Sequence, residues 1–269
     1  MLELLSTHSS LRTLKLSNNG LGPTGGATVA GALLASAEKA KKEGRTSSLR
    51  RIICGRNRLE NGSAATWAKA FAALGSLVEV RMPQNGIRME GIALLVEGLR
   101  SNPSLEVLDL QDNTATESGS RAIALSLSSW PKLTSLNLSD CLLKPRGGIT
   151  LAKTLATGSN PLLTSLKLQS NELDARSIDI LAQAIKEHLG GLVELELNGN
   201  RGEAEDECYI RIGEALEGWG HADALDELDE MEEAESDEEE EEEEEEVAEE
   251  SKEDKEEVDE LSAALNKVL

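Results

Sequence analysis

In the stretch LKLSNNGLGP, Leu14 to Pro23, two asparagines stand side by side, Asn18 and Asn19. An amide side chain is neither a nucleophile nor an acid. It donates and accepts hydrogen bonds at once, so its chemistry is to hold another group in place. Just beyond it, Gly20, Gly22 and Gly25 spell GxGxxG, the spacing with which a strand-to-helix turn wraps a pyrophosphate. The cysteines Cys54, Cys141 and Cys208 and the histidines His8, His188 and His221 are scattered along the chain. They form no CxxC pair and no cluster with zinc-ligand spacing. No Ser–His–Asp, Cys–His or paired-carboxylate set stands out. The expectation is therefore no metal, no cofactor of its own and no enzymatic centre of its own.

These residues are set in a frame that repeats. Leu, two residues, apolar, one residue, apolar, two residues, Asn recurs seven times, starting at Leu11, Leu49, Leu77, Leu105, Leu133, Leu163 and Leu192. Cys141 stands in the Asn place of the fifth copy. Spacings of 38, 28, 28, 28, 30 and 29 residues fit the long form of the leucine-rich repeat, a strand followed by a helix in each unit. The frame predicts an α/β solenoid with a parallel sheet on its concave face, of the ribonuclease-inhibitor-like kind. Alternation puts Leu14 and Leu16 inside the first strand and Thr13, Lys15 and Ser17 on the concave side. Asn19, Asn57, Asn85, Asn113, Asn171 and Asn200 are expected to turn inward and bond backbone groups where the strands end. The excess in the first interval, Ala37 to Ser48, reads as a longer helix end plus a loop. A small residue lies six positions past each ladder residue, for example Gly91, where the chain is expected to turn into the helix.

That frame disposes of the glycine motif. Gly20 and Gly25 recur as Gly86 and Gly91, so they belong to the repeat's own turn, and no acidic residue closes a second strand at the distance a dinucleotide site needs. It also isolates Asn18. The slot before each ladder residue holds Asn18, Arg56, Gln84, Asp112, Asp140, Ser170 and Gly199. No common residue type recurs there, so the slot reads as non-structural, with Asn18 available to something outside.

Composition sets the remaining bounds. From Asp223 to Leu269 there are 26 acidic residues and three lysines, whereas Met1 to Ala222 carries 24 of each sign. The expected organisation is a repeat domain over 1–222, a disordered acidic tail over 223–257 and a short helix over 258–269, where Val258, Leu261, Leu265 and Leu269 share a face. The tail is either a solubilising segment or a lure for a basic partner. No apolar run approaches the roughly 20 residues that span a bilayer. Neither a membrane nor a nucleic acid is expected as partner.

Several segments are more specific than the leucine frame: RIICGRNRLENGS (Arg51 to Ser63), NNGLGP (Asn18 to Pro23), QNGIRMEGI (Gln84 to Ile92), LDLQDN, SWPKL, DCLL, LELNGNR and the acidic ALDELDEMEE. In these the chain resembles the Ran GTPase-activating proteins, the fungal type above all. The resemblance implies binding to Ran carrying GTP, with GTP and Mg2+ held by the GTPase and a Ran-binding protein alongside. It implies a regulator rather than an enzyme, acting as a monomer in the cytoplasm or near the nuclear envelope, in nucleocytoplasmic transport. In that family no arginine finger is supplied; an asparagine on a repeat loop steadies the GTPase's catalytic glutamine, which orients the attacking water. The first asparagine of NNGLGP is Asn18, which the resemblance makes the positioning residue. Arg56 and Arg58 fall in the CGRNR segment and are implied as contacts for an acidic patch on Ran. Family members carry further repeats and a loop arginine ahead of this point. MLELLSTHSS looks like the end of a helix from such a repeat. The resemblance therefore implies a fragment or shortened form, with weak or absent activation by the chain alone. The competing function is a binding scaffold or inhibitor that uses the concave row Lys15, Arg81, Asp109, Lys167 and Glu196.

Overall fold

A computed structural model of the chain describes residues 10–233. Seven three-residue strands form one parallel sheet in sequence order: β1 Thr13–Lys15, β2 Arg51–Ile53, β3 Glu79–Arg81, β4 Val107–Asp109, β5 Ser135–Asn137, β6 Ser165–Lys167 and β7 Glu194–Glu196. Seven helices alternate with them: α1 Gly22–Lys42, α2 Ala64–Leu74, α3 Met89–Leu99, α4 Thr116–Leu127, α5 Lys144–Leu155, α6 Ala175–His188 and α7 Glu207–Gly218. The register places Leu14, Ile52, Val80, Leu108, Leu136, Leu166 and Leu195 in one inward row. Ile52 to Leu195 are wholly buried, while Leu14 keeps 8% and Leu16 9% exposure, because β1 has a strand on one side only among the described residues. Each buried Leu contributes roughly 1.5–3 kcal/mol, and only between neighbouring coils, so stability is shared along the stack.

The helices bury one stripe each. In α3 the buried residues Ile92, Leu95, Val96 and Leu99 follow three- and four-residue spacing. Gly98 of α3 lies against α2 so tightly that a Cβ there would come within 2.3 Å of the Ala68 carbonyl. α6 begins at Asp174, whose carboxylate accepts the Ser177 N–H at 2.8 Å. The excess of the first repeat is carried by α1, 21 residues long, and the loop after it. Gly91 lies where the chain enters the helix, as the frame predicts. It sits in the first turn of α3, and a Cβ there would lie 2.5 Å from Asn61 Oδ1. The position is small because the preceding coil presses on it.

Packing also continues past residue 222, where the sequence pattern drew the end of the repeat domain. Leu225 bridges in parallel to Leu195 of β7, and Glu232 to Arg201. Leu225, Leu228 and Met231 rest on the core. Asp226 accepts the Leu197 N–H at 2.8 Å and the Asn198 N–H at 3.2 Å, closing the edge of the last coil. An edge strand presents unpaired donors, and an acidic side chain can satisfy them. The first part of the acidic segment is thus a capping strap. The acidic run beyond it, the helix expected over 258–269 and the opening MLELLSTHS lie outside the described residues. Among the described residues no helix is long and apolar enough to cross a membrane.

Candidate functional site

At the strand ends the predicted amide ladder is present. Asn85 Nδ2 donates to the Cys54 and Met82 carbonyls at 2.8 and 3.0 Å, and its Oδ1 accepts the Asn57 N–H at 2.9 Å. Asn57 serves Asn19 the same way at 2.9 Å, Asn113 serves Asn85 at 3.3 Å, and Asn200 serves Asn171 at 3.1 Å. Cys141 stands in for the missing amide: its Sγ donates to the Leu110 carbonyl at 3.3 Å and faces the Asn113 N–H. Burial pushes that thiol up to about 12, and burial raises Cys54 to about 11. Both therefore stay protonated. A second set of buried amides, not foreseen from the frame, lies at the helix ends: Asn102 donates to the Phe71 carbonyl at 2.9 Å and Asn160 to the Leu127 carbonyl at 3.0 Å. The signal was the shared SNP triplet that both sit in.

The ladder defines a rim. The slot before each ladder residue is left-handed in all seven coils, with φ of 60° at Asn18, 55° at Arg56, 53° at Gln84, 52° at Asp112, 55° at Asp140, 51° at Ser170 and 72° at Gly199. This corrects the inference that variety of residue type makes the slot non-structural. The constraint is on the backbone, because the chain must turn out of the strand while the ladder residue turns in. A left-handed L-residue costs roughly 1–2 kcal/mol, less for Asn, whose short polar side chain bonds locally. Asn18 thus has a conformational reason to be asparagine as well.

Each rim residue is pinned by its own N–H. Asn18 donates to the Gly55 carbonyl at 2.9 Å, Arg56 to Pro83 at 2.9 Å and Gln84 to Gln111 at 2.9 Å. Asn18 is exposed, and its side-chain amide makes no hydrogen bond among the described residues. Arg56 and Arg58 are both exposed and flank the wholly buried Asn57 on the adjoining coil. The structure therefore gathers Asn18, Arg56 and Arg58 on one lip, the backbones of adjacent coils about 5 Å apart. The lip is basic near Asn18, with Arg88 exposed on the third coil, and acidic further along, with Asp112 and Asp140. A cleft of about 310 Å³ opens there between Gln84, Asp112, Thr114, Asp140 and Leu142. Gln84 and Asp112 were not foreseen as site residues. Their recurrence at 28-residue spacing from Arg56 was the available signal.

Part of the charge elsewhere is paired internally. On the concave face Arg81 pairs with Glu79 at 2.6 Å and Asp109 at 3.4 Å, and Lys167 with Glu194 at 2.8 Å and Glu196 at 2.5 Å. A larger groove, about 410 Å³, lies on the helical side between α6 and α7. It is walled by the Arg211–Asp179 ion pair at 2.9 Å and by Trp219, whose Nε1 donates to the Ile185 carbonyl at 3.0 Å. Among the described residues no group of three or more His, Cys, Asp or Glu could hold a metal ion. What the rim offers is hydrogen-bonding and cationic side chains carried on a pinned backbone.

Repeat frame, seven-stranded parallel sheet and asparagine ladder make the chain a leucine-rich repeat solenoid. A family model described as "Leucine Rich repeat" matches residues 7–30, 101–124 and 131–152. The chain's curated homologues are Ran GTPase-activating proteins. Ran GTPase-activating protein 1 of Saccharomyces cerevisiae is 42% identical over 197 residues, 71% of this chain and 48% of the yeast protein. Ran GTPase-activating protein 2 of Caenorhabditis elegans is 49% identical over 82 residues, 30% of this chain and 8% of that one. The chain thus spans about half the length of the yeast relative. Among solved structures, an internalin of Listeria monocytogenes is 14% identical and superposes over 86% of this chain and 63% of its own, with a TM-score of 0.36.

Proposed function

We propose that the chain is an activator of the GTPase Ran and that Asn18 is the residue through which it acts. Ran binds with its nucleotide pocket against the lip, and the Asn18 amide braces the glutamine that orients the attacking water. The solenoid supplies rigidity, since positioning gains rate only when the positioning group is itself fixed. Asn18 is held by the Gly55 carbonyl, and its neighbour Asn19 by the ladder amide of Asn57. Arg56 and Arg58 bind the acidic surface of the GTPase beside it. GTP and Mg2+ stay with Ran throughout. The observation that carries this reading is the exposed amide of Asn18, without a hydrogen-bond partner among the described residues, on a backbone that the fold dictates, in a chain whose homologues are named for activating Ran.

The scaffold alternative draws on the concave row. The internal pairing of Arg81 and Lys167 weighs against it, because a partner would have to displace intramolecular carboxylates. The test is hydrolysis by Ran–GTP in a single turnover with the full chain in excess. Acceleration of at least about tenfold over the intrinsic rate supports an activator. Tight binding with no acceleration makes the chain a scaffold.

A further inference from the structure

Arg56 is the first member of a hydrogen-bonded row. Its Nε donates to Oε1 of Gln84, and Nε2 of Gln84 donates to Oδ2 of Asp112 at 2.6 Å. The three residues occupy the same left-handed slot on successive coils, with φ of 55°, 53° and 52°. A glutamine amide donates at one end and accepts at the other. Asp112 can only accept, so it takes the donor end and leaves the carbonyl end to face Arg56. The row therefore has a direction that the carboxylate sets. Nη1 and Nη2 of Arg56 make no hydrogen bond among the described residues, so the outer fork of the guanidinium is open.

We infer that Gln84 and Asp112 are positioning residues, which hold the Arg56 guanidinium by its Nε so that Nη1 and Nη2 present an end-on fork to a carboxylate of the bound GTPase. This rests on the reading of Arg56 as a partner contact. A carboxylate matches the fork because its two oxygens take the two N–H groups in parallel, and the charges oppose. An arginine held in advance loses less rotamer freedom on docking than one that swings in water. The 28-residue repeat is what makes the row possible, since it stacks equivalent slots on neighbouring coils without offset.

The experiment measures the affinity of the full chain for Ran loaded with a non-hydrolysable GTP analogue. The chains compared are the parent, Arg56→Ala, Gln84→Ala, the double variant, Asp112→Ala and Asp112→Asn. Gln84→Ala and Asp112→Ala are each expected to weaken binding about three- to tenfold, the range that freezing one long side chain commands. Asp112→Asn keeps an oxygen that accepts from Gln84 and is expected to stay within about twofold of the parent. Adding Gln84→Ala to Arg56→Ala is expected to cost nothing further, because the row then holds nothing. Full additivity in the double variant overturns the proposal, as does a silent Gln84→Ala beside a harmful Arg56→Ala. Asp112→Asn as weak as Asp112→Ala also overturns it, for the carboxylate would then touch the partner itself. A silent Arg56→Ala, or a parent chain without affinity, refutes instead the contact reading on which the proposal stands.

Discussion

Replacing Asn85 with alanine exposes what the amide ladder contributes. Asn85 is wholly buried near the middle of the stack. Its side chain serves three backbone groups: the Cys54 carbonyl at 2.8 Å, the Met82 carbonyl at 3.0 Å and the Asn57 N–H at 2.9 Å. The Met82 carbonyl keeps a second donor, Asn113 Nδ2 at 3.1 Å. The Asn57 N–H and Cys54 carbonyl have no substitute among the described residues, and Asn57 and Cys54 are both wholly buried. Each orphaned buried group costs about 1–3 kcal/mol, and the lost bond to Met82 adds up to about 1. Asn85→Ala should therefore destabilise by about 4 kcal/mol. Asn19→Ala is the built-in control. It removes the same amide from an exposed position, and the Leu16 carbonyl it serves at 2.7 Å still receives Asn57 Nδ2 at 2.9 Å. That change should cost less than about 1 kcal/mol. Urea denaturation of the two full-length variants measures the difference through the transition midpoints. Asn85→Ala within about 1 kcal/mol of Asn19→Ala would mean that water replaces the ladder, and the orphaned-group reasoning would be wrong.

Three further outcomes follow from the same structure. Asp226→Ala removes the acceptor for the Leu197 and Asn198 N–H groups and should cost about 2 kcal/mol, with the strap over residues 225–232 becoming the first region to exchange amide protons. All three thiols are buried, and burial raises every one, so Ellman's reagent should titrate none within minutes in the native chain at pH 8 and three in urea. Burial holds the Asp109 carboxyl above the ordinary range despite the Arg81 guanidinium. Its contribution to stability is then complete below the unfolded pKa and is lost as pH rises through the raised folded value. Asp109→Asn should thus stabilise the chain at pH 7 relative to the parent, by under about 1 kcal/mol, with the gain vanishing in acid; thermal melts at pH 3 and pH 7 check the sign.

The solenoid was legible because leucine spacing reports directly on which side chains are buried, and the ladder because an asparagine recurring at strand ends has one physical use there. The left-handed slot was not. It is a property of the backbone, and residues as different as Arg56, Ser170 and Gly199 adopt it. The strap was hidden by its charge: Leu225, Leu228 and Met231 stand among acidic residues, and composition alone assigned them to the tail. The Arg56–Gln84–Asp112 row depends on register between coils, which the 28-residue interval implies only once the slot is known to face outward. Asn18 and the two arginines were named from specific segments, and their shared lip follows from the repeat period.

The central claim is that one exposed amide acts on another protein's reaction. Asn18→Ala, compared with the parent full chain, tests it through two numbers: the affinity for analogue-loaded Ran and the single-turnover rate at saturation. The predicted outcome is affinity within about threefold of the parent and loss of nearly all of the parent's acceleration, the saturated rate falling back to within about threefold of Ran's intrinsic rate. An unchanged saturated rate, or a loss confined to affinity, contradicts it.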